Sequence, residues 1–306
     1  MHLSERTRAI LQALLVTFLW SISFVLIKTS LKDIPPLIFA GLRYSMAVLF
    51  LLPGLFKQRS QLKALSGRDW FQLVILGLVF YTLTQGGQFL SLSHLPAITF
   101  SLILNFTTVL VALIGIIGLR EYPSVLQWFG IGVFIAGVLV YFSTAGVSVG
   151  EPIGFILAAI TMVANAVAGL LGRGINRSKR IPPILVTTVS MAVGAAVLLI
   201  AGLVMEGWPH LTWRSILVIL WLGAVNTALA FQLWNRSLQH LSAVESSIIN
   251  NTMLIQIAVL AWLFLDETLN GVEIIGLALA AVGIFLANVK GRSKASNAEP
   301  QEGQGD

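Results

Sequence analysis

The residues able to do chemistry are few, mostly neutral, and spaced for helices. Tyr81, Gln85 and Gln88 recur at i, i+4 and i+7, so one helix face carries a phenol and two amides among apolar neighbours. Ser101, Asn105 and Thr108 make a second stripe of similar spacing. A shift of 146 residues brings Thr227, Phe231 and Trp234 opposite the first stripe, and Ser247 with Asn251 opposite the second. Amides and hydroxyls in this pattern orient a small polar or zwitterionic ligand, and Trp20 and Trp234 offer flat apolar walls. Asn165 and Asn226 are of the same kind but stand alone. The candidate binding residues are therefore Trp20, Tyr81, Gln85, Gln88, Asn105, Asn165, Asn226, Trp234 and Asn251. The same residue types also tie membrane helices together, at roughly 0.6 kcal/mol per bond. Convergence of stripes from two parts of the chain favours binding for the set.

Charged groups are scarcer. Glu245 stands at the mouth of an apolar run, where Ser242-Ala-Val-Glu245 fits the S-x-x-E capping box. A carboxylate in a first helical turn also complements the helix dipole. Glu245, Thr252 and Gln256 share a face at i, i+7 and i+11, which leaves a proton-coupling role open beside the cap. Arg43 lies eight residues into an apolar segment and Lys28 at the end of another. Either suits an anionic ligand, although snorkelling to the headgroups or an ion pair is the expectation.

Catalysis has little to work with. His2, His94, His210 and His240 have no metal-ligand spacing, and there is no Gly-rich phosphate loop or HExxH. The absence of cysteine removes disulfides, thiolate metal sites and cysteine nucleophiles. Neither a cofactor, a metal nor enzymatic activity is expected.

The elements that must position these residues cross a membrane. Of 306 residues 57% are hydrophobic and 10% charged, more apolar surface than a water-soluble domain hides. About 20 apolar residues span a hydrocarbon core. Ten windows of that length run roughly 8–28, 35–56, 70–92, 96–119, 123–142, 152–172, 182–204, 213–238, 243–265 and 270–289. With the N-terminus inside, fourteen of the 19 Lys and Arg fall on the inner side and three on the outer, so both termini are expected in the cytoplasm. The formal charge of +6 thus reflects topology and implies no nucleic-acid partner. Residues 291–306 read as a disordered tail.

The chain is written twice. Residues 91–137 align with 237–283 without a gap, with 13 identities in 47 positions. The informative pairs are polar or glycine: His94 with His240, Asn105 with Asn251, Glu121 with Glu267, Gly130 with Gly276 and Gly137 with Gly283. The triplet Ile-Pro-Pro at 34–36 recurs at 181–183. Five spans per half is an odd number, so the halves, 1–146 and 147–290, enter the membrane in opposite senses. The expected fold is an all-α integral membrane protein of ten transmembrane helices, arranged as two inverted five-helix repeats. Gly132 with Ala136, and Gly276 with Ala280, would let the last helix of each half pack closely.

These residues resemble the EamA-type drug/metabolite transporters over nearly the whole chain. The likeness rests on WSISF (Trp20 to Phe24) followed by Lys28, on GLRYSMAVL with Arg43, and on a Glu then a glycine-spaced helix ending each half. Two departures stand out. The mid-helix prolines usual 13 residues before each glutamate are Thr108 and Leu254, and the usual preceding glycines are Arg120 and Asp266. The resemblance implies export or exchange of a small metabolite, such as an amino acid, through the cell membrane by alternating access. A channel-like facilitator and a receptor or scaffold without flux are the rival readings. A monomer or a homodimer suits a chain that carries both repeats.

Overall fold

The computed structural model describes residues 4–114, 124–145, 151–178, 180–241 and 243–288, which form helices and short turns with no strand among them. The long helices are α1 Glu5–Ser30, α2 Pro36–Lys57, α3 Gly67–His94, α4 Ala97–Ile114 and α5 Val125–Ala145 in the first half. The second half contributes α6 Pro152–Arg177, α7 Pro183–Met205, α8 Trp213–Ser237, α9 Ala243–Phe264 and α10 Gly271–Asn288. Among the described residues nine of these are long and apolar enough to span a bilayer, and α9 carries a shorter apolar segment, Ile248–Phe264. Within the described residues, each of the ten expected windows thus falls on a helix. Glu121, Ser242, the boundary between residues 146 and 147 and the tail 291–306 lie outside the described residues.

Successive helices run antiparallel, which gives the bundle two ends. Arg6 meets Glu245 and Arg180 meets Asp69 at one end, called here the Arg6 face. Lys28, Glu206 and Glu267 mark the other, the Lys28 face.

The two halves meet along α5 and α10, where glycines replace side chains with backbone. A Cβ on Gly276 would fall 2.5 Å from the Tyr141 amide nitrogen and 2.8 Å from the Gly137 carbonyl oxygen. Gly130 and Gly283 make the corresponding contacts with Ala287 and Phe134. Gly130 corresponds to Gly276 and Tyr141 to Ala287, so each contact repeats itself across a pseudo-two-fold axis. Gly130 and Gly137 therefore carry the close approach, and Gly132, expected to do so, meets nothing within 4 Å. The heptad spacing 130, 137 faces the partner, whereas position 132 turns away from it.

Two helices open into wide π turns at matching places, Gly77–Gly86 within α3 and Ala224–Leu229 within α8. Thr84 Oγ1 donates to the Val79 carbonyl and Thr227 Oγ1 to that of Leu222, both five residues back. The hydroxyls thus add a side-chain donor to carbonyls inside the widened turns. α4 is interrupted at Asn105 and Phe106. Asn105 Nδ2 donates to the Ser101 carbonyl at 2.7 Å, while the Phe106 amide slips to Ile103, three residues back. The helix thus bends without a proline, three residues before Thr108.

Candidate functional site

A cavity of about 260 Å³ enters from the Arg6 face. Arg173, Asn176 and Asn235 flank its mouth, near the ends of α6 and α8. Deeper in, Ala168 and Gly169 form one wall, Phe231 and Trp234 line the α8 side, and Tyr81 and Asn165 lie at mid-helix depth. Small residues on one face of α6 make the room, since a Cβ on Gly169 would meet nothing within 4 Å. Tyr81 is held by stacking: its ring lies 5.5 Å from Tyr44 and 4.9 Å from Phe80. Tyr44 in turn donates its hydroxyl to Gln85 Oε1 at 2.7 Å. Trp20 tilts against Phe231 at 5.5 Å and Trp234 at 5.3 Å, backing the aromatic wall.

Hydrogen bonds close the seams around this cavity. Between α1 and α9, Ser21 Oγ donates to Gln256 Oε1, and Gln256 Nε2 donates to Thr17 Oγ1. Arg6 pairs with Glu245 on the same side, so Glu245 and Gln256 of that stripe face one neighbour, α1. Between α1 and α8, Asn226 Nδ2 donates to the Leu19 carbonyl and to Ser23 Oγ. Asn165 reaches α4 through Thr107 Oγ1 at 3.3 Å.

At the Lys28 face the closure is made by charged groups on helix ends. Pro35 and Pro96 precede α2 and α4 and supply no side-chain cap. Carboxylates from the second half take that place. The Leu37 and Ile38 amides donate to the two oxygens of Glu206, each at 3.0 Å. The Ala97 and Ile98 amides donate to those of Glu267, at 2.6 and 3.1 Å. Orphan amides at a helix start are costly in an apolar medium, and a carboxylate there also answers the dipole. Lys28 Nζ donates to the Leu92 and Leu95 carbonyls at the end of α3, at 2.6 and 2.8 Å. Lys28 therefore caps a helix rather than snorkelling. His94 Nδ1 lies 2.7 Å from Glu151 Oε2, a further link between the halves.

Five of the nine candidate residues come together at the cavity or directly behind its wall: Trp20, Tyr81, Gln85, Asn165 and Trp234. Asn226 is fully buried in the seam between α1 and α8. Gln88 is buried, Asn105 sits at the break in α4, and Asn251 has a buried amide nitrogen with no hydrogen-bond partner among the described residues. Arg43 departs from expectation altogether. It is 5% exposed, its Nε donates to Thr227 Oγ1 at 3.1 Å, and no ion pair engages it among the described residues. It reaches sideways to α8 because the aromatic faces of Tyr44 and Phe89 shelter it. The sequence reading passed over Gly169, Gly172 and Arg173, although three small residues, Ala168, Gly169 and Gly172, at helical spacing were a usable signal.

The profile of the EamA-like transporter family matches residues 7–143 and 152–289, one match per half. An uncharacterized transporter of Bacillus subtilis, YvbV, is 29% identical over 303 residues, covering 94% of either chain. A Salmonella typhimurium protein named "Probable amino-acid metabolite efflux pump" is 28% identical over 90% of this chain and 92% of its own. An S-adenosylmethionine/S-adenosylhomocysteine transporter of Chlamydia trachomatis is 25% identical, over 85% of this chain and 83% of its own. A crystal structure superposes with a TM-score of 0.65 at 19% identity, over 92% of this chain and 98% of that one, which speaks for the fold. Two inverted halves, a cavity between their helices and a profile match across both halves agree, and the chain belongs to the EamA-like transporter family.

Proposed function

We propose that the protein is a secondary transporter that moves a small polar metabolite, an amino acid or a related compound, unchanged across the cell membrane by alternating access. The Arg6 face, where the basic residues gather, is the cytoplasmic one, and export is the net direction. The observation that carries this reading is one-sidedness. The cavity enters from the Arg6 face, while Glu206, Glu267 and Glu151 of the second half bind the first half together at the Lys28 face. A depression of about 520 Å³ on the Lys28 face shares no lining residue with the cavity, whereas a channel-like facilitator needs a continuous path. The volume of about 260 Å³ lies below the roughly 300–1,000 Å³ of drug-sized sites and suits a metabolite. Neutral amides and the Tyr81 phenol around it suit a zwitterion, in keeping with the relatives named for amino-acid metabolites and S-adenosylmethionine.

Purified protein in liposomes loaded with a mixed metabolite pool tests the proposal. Selective, saturable loss of particular compounds, measured by mass spectrometry against empty liposomes, is the expected result. Flux proportional to concentration without saturation would favour a facilitator, and retention of the pool by folded protein that still binds a compound would favour a receptor.

A further inference from the structure

Arg43 holds a full charge roughly 10 Å along α2 from its first residue, well inside the bilayer. Its guanidinium lies 5.3 Å from the Tyr44 ring centre and 5.9 Å from that of Phe89. Among the described residues it makes one hydrogen bond, from Nε to Thr227 Oγ1, and no carboxylate pairs with it. A buried cation with one neutral partner is expensive unless a compensating anion visits it. Intramembrane charges of this kind mark ligand pathways.

The repeat shows where such an anion would come from. A Cβ on Gly77 would lie 2.5 Å from the Ser190 carbonyl oxygen, and one on Gly223 would lie 3.1 Å from that of Arg43. Gly77 corresponds to Gly223, so Ser190 occupies in the second half the place of Arg43 in the first. Ser190 borders the cavity, as do Phe80, Tyr81 and Trp234. Their counterparts are Asn226, Thr227 and Gln88. When inverted repeats exchange conformations, the walls of one cavity become the walls of its counterpart at the other face. The counterpart walls are polar, yet in this structure they are shut. Arg43 is 5% exposed, Gln88 9%, Asn226 and Thr227 0%, and Asn226 Oδ1 has no hydrogen-bond partner among the described residues.

We infer that the protein has a second binding chamber, open to the Lys28 face in the alternate state, in which Arg43 receives the negative group of an anionic or zwitterionic solute. Gln88 and Asn226 offer amide hydrogen bonds beside it. A guanidinium fork pairs with a carboxylate in two parallel bonds, and the flanking rings exclude water from that pair. This inference rests on the alternating-access reading and adds the charge class of the ligand.

The chain contains no cysteine, so one introduced thiol reports without background. Gln88→Cys probes the proposed chamber, Gly169→Cys the cavity at the Arg6 face, and Asp33→Cys marks the Lys28 face. Anionic and cationic membrane-impermeant methanethiosulfonates are applied separately to intact cells and to inverted vesicles. The expected result is that Gln88→Cys reacts from the face that labels Asp33→Cys. The anionic reagent should be favoured about tenfold there, the scale set by one charge a few ångströms away. Arg43→Gln should abolish that preference and Arg43→Lys should keep it, while Gly169→Cys reacts from the opposite face in each background and reports folding. A preference unchanged in Arg43→Gln overturns the anion site and leaves alternating access standing. No reaction of Gln88→Cys from the Lys28 face, with Gly169→Cys still reactive, overturns the chamber and alternating access together.

Discussion

The Glu267 carboxylate, at the end of α9 in the second half, accepts the Ala97 backbone amide at the start of α4 in the first half at 2.6 Å. A side chain from one repeat thus supplies the cap that Pro96 cannot give the other. Loss of a capping side chain costs about 0.5–2 kcal/mol, so Glu267→Ala should lower the unfolding temperature in detergent by a few degrees. It should also loosen the Lys28 face. Thiol labelling of Gln88→Cys from that face should be faster in the Glu267→Ala background, and equal rates would show that the cap is not part of the closure.

Asp266 prepares that contact, because its φ of 56° turns the chain at the end of α9 so that Glu267 follows the reversal. L-residues pay for this left-handed conformation, Asp less than most and Gly nothing. Asp266→Gly is expected to raise stability by about 0.5 kcal/mol, and Asp266→Val to lower it by roughly 1–2 kcal/mol. Unfolding curves of the two variants check the sign of each.

The α5–α10 crossing makes a sharp distinction among glycines. Gly137→Leu and Gly276→Leu drive a side chain into facing backbone and should cost more than the 1–3 kcal/mol typical of overpacking, with a collapse of folded yield. Gly132→Leu meets open space and should leave the yield unchanged. Size-exclusion profiles of the three variants separate these outcomes, and loss of yield in Gly132→Leu would place the helix crossing elsewhere.

Glu245 pairs with Arg6, an exposed cation, at the edge of the bundle. Exposed ion pairs contribute up to about 1 kcal/mol. Glu245→Gln should therefore lower stability by less than that, and efflux from liposomes should keep whatever dependence on a proton gradient the unmodified protein has. Loss of gradient dependence alone would make Glu245 the coupling group.

What the sequence disclosed and what it hid follow different physics. Helix positions were legible because apolar run length is set by bilayer thickness, and the inverted repeat because Gly130, Gly137, Gly276 and Gly283 must stay glycine where backbones touch. The stripe Tyr81, Gln85, Gln88 was legible as polar, but its π turn was not. That turn displaces Gln88 from the cavity that Tyr81 lines, and helical periodicity assumes regular turns. Glu206 carried no local signal at all, since its partners, Leu37 and Ile38, lie in the other half. Arg43 was misplaced for a similar reason: distance from a helix end suggests snorkelling, and only packing reveals Thr227 and Phe89 around the guanidinium.

Gly169 gives the cavity its most direct test. Its missing side chain faces open space and borders the cavity at the Arg6 face. Gly169→Phe puts a ring into a volume of about 260 Å³, so it should abolish efflux without displacing any neighbour. Stability should hold or rise, because replacing glycine within a helix gains up to about 1 kcal/mol. Gly194→Ala supplies the contrast, since its Cβ would collide with Tyr81 and with the Gly77 carbonyl, and it should lose folded yield instead. Efflux per folded molecule, measured for both, distinguishes a plugged passage from a broken core. Full flux through Gly169→Phe would mean that solute passes elsewhere, and the polar groups along α3 and α6 would then be scaffold.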